Sequence, residues 1–393
     1  MGVSIGGPAA LAAAALAAAA AACHEGSAGS AVAPPPDSVA LVATVPVPPN
    51  YGQHDQIERA GLAFLCSWNT GLQIYDVGDG RAGGSPQHPV RISGVVTSGG
   101  EVHNAWWYWA PDGTRRYAFV GQEGPGSVGT SSSGDIHVVD LSNLSAPAEV
   151  ASFHMNGAGT HNFWVDEANQ VLYAAYYNGG VVALDVSGTL SGDLGTRLIS
   201  AVQPGGAGDT YVWGVMLYNG SVYASDMVSG LWQLKLTGGA LQVAGGGNNV
   251  PERYTSDLWV ANGYAYTGTW GTRGANTGNV LKIWKLDSAG APVLHDSIVT
   301  PGFTTVSDVR GSADGRMLVT SGEYGPKAGL YFYSLVPDPG HPVLLRYYPV
   351  VANAQNGIHN VSLADIGGRR YALAAQDPPT PAMLVVDVTA IDP

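Results

Sequence analysis

One three-segment pattern of β-strand signals recurs seven times along this chain, and it constrains the fold more than any other feature. In most copies a polar pair opens the first segment, and the third segment ends at a fixed marker position. The marker falls at Asp76, Asp140, Asp185, Lys235, Lys285, Ser334 and Asp387. Successive markers are 64, 45, 50, 50, 49 and 53 residues apart. Such a period, carrying only strand signals, is typical of a β-propeller, whose blades are small antiparallel sheets.

The two ends of the repeat region predict how the ring closes. The seventh repeat stops at Pro393 with three strand segments, whereas residues 39–47 form an apolar segment that belongs to no repeat. Pairing that segment with the last blade would supply its fourth strand and remove an exposed sheet edge. The sequence therefore predicts an all-β fold over residues 39–393, a seven-bladed β-propeller of four-stranded antiparallel blades closed by an N-terminal strand that completes the last blade.

Composition agrees with this architecture and excludes some functions. Only 12% of the residues are charged, and the 55 glycines and 25 prolines suit short, tightly turned strands. A net charge of −13 argues against nucleic-acid binding, which needs a basic patch, and against electrostatic docking to anionic lipid. The two cysteines cannot form the disulfide framework of a small secreted domain.

The N-terminal segment indicates export. Residues 8–22 are an Ala/Leu run, too short to span a bilayer, that reads as the apolar part of a secretory signal. Cys23 follows three alanines as in a bacterial lipobox, although the usual Leu is Ala20 and no Lys or Arg precedes Arg59. We expect residues 1–23 to be a signal peptide with Cys23 lipidated, and residues 24–38 to be a flexible tether. The predicted location is extracytoplasmic, as a cell-envelope lipoprotein or a secreted protein.

Four of the third segments have a distinctive sequence. They are Gly71–Val77, Gly134–Leu141, Gly180–Val186 and Leu384–Val388. Each carries an apolar run ending in Asp followed by Val or Leu, and in this the chain resembles the LVIVD-repeat family. The resemblance covers about residues 39–393, and it implies a bacterial or archaeal exported or surface β-propeller without a general activity. Repeats four to six depart from the pattern at Lys235, Lys285 and Ser334.

The polar pairs at the start of the first segments should line the central channel, because the first strand of a propeller blade is the innermost. The pairs are His54-Asp55, His103-Asn104, His161-Asn162, Trp213-Gly214, Ser256-Asp257, Ser307-Asp308 and His359-Asn360. Blades seven, one, two and three are consecutive around the ring. Four histidines should therefore stand side by side at one mouth of the channel.

The second strands return to the same mouth and bring carboxylates and aromatic rings to it. The predicted ligand-binding residues are His54, His103, His161, His359, Glu123, Asp226, Glu323 and Asp377. Imidazoles with carboxylates form the ligand set of Zn, Fe, Cu or Mn and also serve general acid–base catalysis. A divalent transition metal is accordingly the candidate cofactor, with His103, His161 and His359 as candidate ligands. Two alternatives to a metal or catalytic site stay open. The mouth could bind a polar ligand, or each polar pair could have only the structural role of hydrogen-bonding to the backbone of the next blade.

These observations support three functional hypotheses. The first is an exported, lipid-anchored binding or interaction module, monomeric, whose partner is a cell-envelope protein or a small polar ligand. The second is a metal-dependent oxidoreductase or hydrolase that uses the three candidate metal ligands with Glu123 or Asp377. The third is a structural scaffold of the envelope. The sequence contains no H-E-x-x-H, G-x-S-x-G, Walker A or EF-hand motif that would identify a reaction.

Overall fold

The computed structural model of the chain describes residues 38–47, 52–110, 113–350 and 356–393. The predicted signal peptide, Cys23 and all of the predicted tether except Ser38 lie outside the described residues. Within the described part, seven antiparallel sheets of the predicted kind follow one another along the chain. The expected fold is confirmed: an all-β, seven-bladed β-propeller, whose blades we number in chain order.

The first four blades each contribute four consecutive strands. Blade 1 contains Asp55–Arg59, Leu62–Cys66, Leu72–Asp76 and Val90–Val95. Blade 2 contains Val102–Trp109, Arg115–Gln122, Ile136–Asp140 and Ala148–Phe153, with the short Gly192–Asp193 parallel to its outer edge. Blade 3 contains Phe163–Asp166, Val171–Ala175, Val181–Asp185 and Leu198–Val202. Blade 4 contains Val212–Tyr218, Ser221–Asp226, Gly230–Thr237 and Ala240–Gly246.

The remaining blades repeat the arrangement. Blade 5 contains Tyr254–Ala261, Tyr264–Trp270, Val280–Leu286 and Pro292–Val299. Blade 6 contains Thr305–Gly311, Met317–Glu323, Gly329–Ser334 and Val343–Pro349. Blade 7 contains Ile358–Ile366, Arg369–Gln376 and Ala382–Asp387. Two small hairpins join Gly124–Pro125 to Ser132–Ser133 and Thr272–Arg273 to Asn276–Thr277, and 3-10 turns cover Gly195–Arg197 and Thr389–Ile391.

Blade 7 obtains its fourth strand from the other end of the chain. Ala40–Pro46 pairs antiparallel with Ala382–Asp387, from Ala40 opposite Asp387 to Pro46 opposite Ala382. Val45 on this strand is buried against the apolar cluster shared by blades 7 and 1. The first and last strands of the propeller are thereby hydrogen-bonded in one sheet, so the predicted closure is confirmed.

The marker residue at the end of the third strand accepts hydrogen bonds from backbone N–H groups of the loop that follows. The Asp76 carboxylate accepts hydrogen bonds from the backbone N–H groups of Gly78, Gly80, Ala82 and Gly84. Burial would raise the pKa of Asp76, but these four donors lower it to about 2. Asp140, Asp185 and Asp387 each accept the N–H two residues later, and the hydroxyl of Ser334 does the same. The recurring Asp is therefore a turn-forming residue.

The core lies between neighbouring blades, where apolar faces of adjacent sheets meet. The rings of Phe64 in blade 1 and Trp107 in blade 2 stack at a centroid distance of 5.3 Å, for example. Cys66 is fully buried in the same cluster, as expected for a small apolar side chain. None of the helices within the described ranges has the length and apolar character that a membrane span requires.

The closure can be tested by deleting residues 39–47. Burying one Val side chain is worth roughly 1.5–3 kcal/mol, and 1 kcal/mol shifts the Tm of a 150–250-residue domain by about 2–4 °C. Losing Val45 and the strand pairing should therefore lower the Tm in calorimetry by at least about 5 °C. Deleting residues 24–32 of the tether is the control and should leave the Tm unchanged. Equal melting of the two deletions would contradict the assigned closure.

Candidate functional site

Five of the seven polar pairs lie at a β-bulge, where the first strand has one residue more than the second. The pairing skips a residue or more between Val102 and Asn104, Val212 and Gly214, Thr255 and Leu258, Val306 and Val309, and Ile358 and Asn360. A bulge breaks the strict alternation of side chains and changes their direction locally. The bulges therefore allow both members of a pair to reach the channel.

Backbone hydrogen bonds show the same arrangement in blades 1 and 3. The N–H of His161 donates to the carbonyl of Ala175 at 2.8 Å, and the N–H of Ala175 donates to the carbonyl of Asn162 at 2.9 Å. The N–H of His54 likewise donates to the carbonyl of Cys66, which Asp55 faces across the sheet. The two histidines thus occupy the same structural position as His103 and His359.

The four predicted histidines stand side by side. Ring centroids are 4.0 Å apart for His359 and His54, 3.9 Å for His54 and His103, and 4.3 Å for His103 and His161. Trp213 continues the row at 4.2 Å from His161. We call this end of the channel the histidine mouth.

Aromatic rings close the row into a circle. Trp270 lies 4.8 Å from Trp213 and 6.1 Å from His359, measured between ring centroids. A cavity of about 490 Å³ opens above the circle. Its lining includes Trp68, Tyr177, Tyr211, Trp213, Trp270, Glu123, Glu323 and Asp377. Aromatic walls with a few convergent polar groups are typical of a small-molecule site.

Three of the imidazoles share one hydrogen-bonding pattern. Nδ1 of His103 lies 3.2 Å from Oδ1 of Asn104, and Nδ1 of His161 lies 2.6 Å from the carbonyl oxygen of Trp213. His54 bonds to the backbone of His103. The other ring nitrogen of each, Nδ1 of His54 and Nε2 of His103 and His161, is buried with no hydrogen-bond partner among the described residues. Each ring thus has one nitrogen engaged and one lone pair free.

The charge state differs along the row. Burial, assisted by neighbouring imidazoles, lowers the pKa of His54 and His161 well below the usual value, and burial lowers that of His103 despite nearby Glu123. Burial also acts to lower the pKa of His359, but Glu323 and Asp377 raise it to about 10. The first three rings are therefore neutral at pH 7, whereas His359 is cationic.

The carboxylates are held in two places. Glu123 accepts a hydrogen bond from the hydroxyl of Tyr177, and its Oε2 lies 3.7 Å from Nε2 of His103. Glu323 accepts from Nδ1 of His359 at 3.1 Å. Asp377 lies beside this pair, where burial and the charge of Glu323 raise its pKa to about 8.

In the part of the chain that the structure describes, two groups of three donors could hold a metal ion. One consists of His54, His103 and Glu123, and the other of Glu323, His359 and Asp377, with ligand atoms mutually within 4.8 Å in each. The structure thus divides the predicted metal ligands, since His359 belongs to the second group and His103 to the first. His161 lies beside the first group but outside its 4.8 Å limit.

Two of the eight predicted residues, His103 and Asp226, are absent from the cavity lining, and Asp226 is held by other contacts. Its carboxylate accepts hydrogen bonds from the backbone N–H groups of Tyr211, Val228 and Ser229. Burial raises its pKa to about 6, although these bonds oppose the shift. The side chain is fully buried and holds the loop after its strand, so its place in the repeat does not make it a ligand.

Other pairs form the blade-to-blade hydrogen bonds of the structural alternative. The hydroxyl of Ser256 in blade 5 donates to the carbonyl of Val306 in blade 6, and that of Ser307 donates to the carbonyl of Ile358 in blade 7 at 3.4 Å. His161 makes the same kind of contact, since its Nδ1 faces the carbonyl of Trp213 in blade 4, and His54 bonds to the backbone of His103 in blade 2. On these two histidines the structural role therefore uses one ring nitrogen and leaves the other without a partner among the described residues.

Below the circle, the channel is filled by an ionic network that the sequence reading missed. Arg310 contacts the carboxylate of Asp257 and lies 3.3 Å from Oδ1 of Asp308. Asp55 is buried nearby, and burial raises its pKa to about 7 although Arg310 opposes the shift. Arg310 follows Asp308 by two residues on one strand, and residues two apart share a face. The two-residue alternation of a strand could therefore have placed Arg310 in the channel from the sequence alone.

Residues two positions after the polar pairs line a second cavity, of about 170 Å³, at the opposite mouth of the channel. Trp106, Trp164 and Trp259 each follow the second member of a pair by two residues, and all three line this cavity. Ring centroids are 4.7 Å apart for Trp106 and Trp164 and 6.1 Å apart for Trp164 and Trp259. The channel thus has a tryptophan-lined end opposite the histidine mouth.

Three aromatic residues of the histidine mouth have left-handed backbone conformations. Their φ values are 45° for Trp68, 42° for Tyr177 and 58° for Tyr324. Each follows the end of a second strand and lines the cavity of the histidine mouth. Bulky residues rarely adopt positive φ, and such strain, of order 1–3 kcal/mol per residue, concentrates at ligand sites.

Comparison with solved structures supports the fold. The WD40 β-propeller domain of Doa1 superposes with a TM-score of 0.60, over 88% of this chain and 96% of that chain, at 10% sequence identity. At that identity the likeness shows the fold alone. No family model and no curated protein matches the chain, so the LVIVD-repeat family stays a resemblance.

The ionic network of the channel predicts a large effect for Arg310→Met. The side chain of Asp257 is only 2% exposed, and the substitution leaves its buried carboxylate without the cation that pairs with it. Breaking a buried pair in this way costs about 3–5 kcal/mol, measurable as the free energy of unfolding in urea. The control, Arg81→Met, removes an exposed pair with Asp79 and should cost less than about 1 kcal/mol. Equal costs would show that Arg310 does not stabilise the channel.

Proposed function

We propose that this chain is a binding module that takes a small polar ligand into the cavity of the histidine mouth. One observation carries the proposal: three buried ring nitrogens, on His54, His103 and His161, have no hydrogen-bond partner among the described residues. Folded proteins satisfy nearly all their buried polar groups, and exceptions need an explanation. A bound ligand that donates to these nitrogens supplies one.

The charges of the cavity favour a cationic or donor-rich ligand. The carboxylates of Glu123 and Glu323 and the cationic imidazole of His359 line it, whereas Asp377, with its pKa raised to about 8, is largely protonated at pH 7. A free lone pair on a neutral imidazole accepts hydrogen bonds but donates none. Amines and hydroxyl-rich compounds therefore fit the cavity better than carboxylates do.

The module is further proposed to work outside the cytoplasm as a lipid-anchored monomer. The support is the apolar run before Cys23 and the Pro-containing tether after it. A tethered propeller can present a face to a protein of the cell envelope while its channel holds the small ligand. β-Propellers commonly serve as interaction modules of this kind.

The ligand class can be tested by thermal shift in the presence of EDTA, with putrescine, glucosamine and succinate as probes. Putrescine or glucosamine should raise the Tm of the purified chain, because a ligand at 100 times its Kd stabilises the folded state by about 2.7 kcal/mol. Succinate should not. The double variant Glu123→Gln/Glu323→Gln should lose the shift.

Asp338→Asn is the matched control for that experiment, since Asp338 is a carboxylate with a 55% exposed side chain. Its probe response should equal that of the unaltered chain. The proposed ligand class is wrong if succinate stabilises as much as the two amines, or if none of the three probes moves the Tm.

Lipid anchoring is tested by Cys23→Ser in a bacterial host that processes lipoproteins. The unaltered chain should incorporate a labelled fatty acid and sediment with membranes, because the Cys23 thiol is the predicted acylation site. The variant should incorporate none and should appear in the soluble extracytoplasmic fraction. Equal label in both chains would exclude Cys23 as the site.

A further inference from the structure

We propose that His54, His103 and Glu123 form a binding site for a divalent transition-metal ion, with His161 as the adjacent fourth donor. We call these four residues the histidine–glutamate cluster. The inference rests on the proposed function, because the ion would be the ligand, or part of it, in the same cavity.

The donor atoms are already close together. One ligand atom each from His54, His103 and Glu123 lies within 4.8 Å of the other two. A tetrahedral site with Zn–N bonds of about 2.0–2.1 Å separates its ligand atoms by roughly 3.3 Å. The side chains therefore need to close by less than about 1.5 Å, which small rotations of the rings can provide.

The hydrogen bonds of the rings select the tautomers that a metal requires. An acceptor faces Nδ1 of both His103 and His161, which places the proton there and leaves the lone pair on Nε2. His54 uses one nitrogen toward the backbone of His103, and its free atom is Nδ1. Metal-bound histidines almost always have their other nitrogen fixed in this way by an oxygen acceptor.

The carboxylate is oriented in the same manner. The hydroxyl of Tyr177 donates to Oε1 of Glu123, which leaves Oε2 on the side of His103. Tyr177 holds this position with a backbone φ of 42°, a conformation that a bulky residue rarely adopts. The strained tyrosine thus positions a carboxylate oxygen beside a free imidazole nitrogen.

The donor set indicates the class of ion. Imidazole nitrogens with one carboxylate suit Zn²⁺ and neighbouring first-row metals, whereas Ca²⁺ and Mg²⁺ prefer oxygen ligands throughout. The cluster should therefore bind Zn²⁺ or Co²⁺ and discriminate against Mg²⁺.

The neighbouring group of Glu323, His359 and Asp377 fits less well. Two of its three donors, Glu323 and His359, are already hydrogen-bonded to each other at 3.1 Å, so an ion would have to compete with that bond. His359, a metal ligand in the sequence-based hypothesis, is therefore replaced by His54. The two assignments predict different results for substitutions of His359.

Metal binding is measured on the purified full chain after EDTA treatment, by Co²⁺ titration with visible absorption and by zinc content after dialysis. The unaltered chain should bind one equivalent of either ion with tetrahedral Co²⁺ bands, and excess Mg²⁺ should not displace it. His54→Gln and His103→Gln should each weaken binding at least 100-fold. Asn104→Ala, which frees Nδ1 of His103, should weaken it 10–100-fold.

Two control variants separate this site from other histidines. His295→Gln alters an exposed histidine outside the cavity lining and should bind metal normally. His359→Gln should keep the stoichiometry and the Co²⁺ bands, within about threefold in affinity. Loss of binding in His359→Gln with retention in His54→Gln would overturn the assignment in favour of the neighbouring group.

The unaltered chain alone can also overturn the proposal, whether or not the variants fold. It fails if the EDTA-treated chain takes up no Co²⁺ or Zn²⁺, or if Mg²⁺ competes equally. Failure here with a Tm increase from putrescine or glucosamine would leave the proposed binding module standing with an organic ligand. Metal uptake lost in His103→Gln, without any response to those probes, would support the metal and reject the organic ligand.

Discussion

In five of the seven blades the first strand carries one residue more than the second strand can pair, and the channel depends on that extra residue. In a regular strand, successive side chains point to opposite faces, so only one of two neighbours could reach the channel. The bulges after Val102 and Ile358, for example, relax this alternation for His103-Asn104 and His359-Asn360. Five such bulges bring polar pairs to the channel, and backbone hydrogen bonds give His54 and His161 the equivalent position in the other two blades.

The periodic features of the chain could be predicted from its sequence, and the features that depend on single partners could not. Marker spacing predicted seven blades and the closing strand, because every blade must repeat one strand arrangement. Aligning the first strands of the seven repeats predicted that the four histidines lie at one mouth of the channel. Asp226 shows where prediction from the repeat ends. It has the repeat position of a channel-mouth residue, but its carboxylate accepts hydrogen bonds from three backbone N–H groups. Arg310 was missed although its two-residue step from Asp308 places both on one face.

Strained backbone conformations and buried nitrogen atoms without hydrogen-bond partners occur together on one side of the histidine mouth. Trp68 and Tyr177 have left-handed backbones, and each ring contacts a histidine whose second nitrogen is free, at centroid distances of 4.7 Å from His54 and 5.0 Å from His161. Ser256, at the equivalent position of another blade, donates its hydroxyl to the carbonyl of Val306 in the next blade. The propeller alone therefore requires neither the strain nor the free nitrogens. Such a coincidence is what a ligand site produces, because binding offsets the cost of both.

Three copies of the same dipeptide, His-Asn, acquire three chemistries from their neighbours. In blade 2, Asn104 is free to face Nδ1 of its own histidine. In blade 7 the oxygen of Asn360 accepts instead from Gln56, so His359 turns to Glu323 and its pKa rises to about 10. In blade 3 the amide of Asn162 donates to Asp257, and Nδ1 of His161 finds the carbonyl of Trp213. The state of the imidazole thus follows from the acceptor that its Nδ1 meets, a carboxylate in blade 7 and an amide or carbonyl oxygen in blades 2 and 3. A repeat alignment carries no record of that acceptor where it lies in another blade, as Glu323 and Trp213 do.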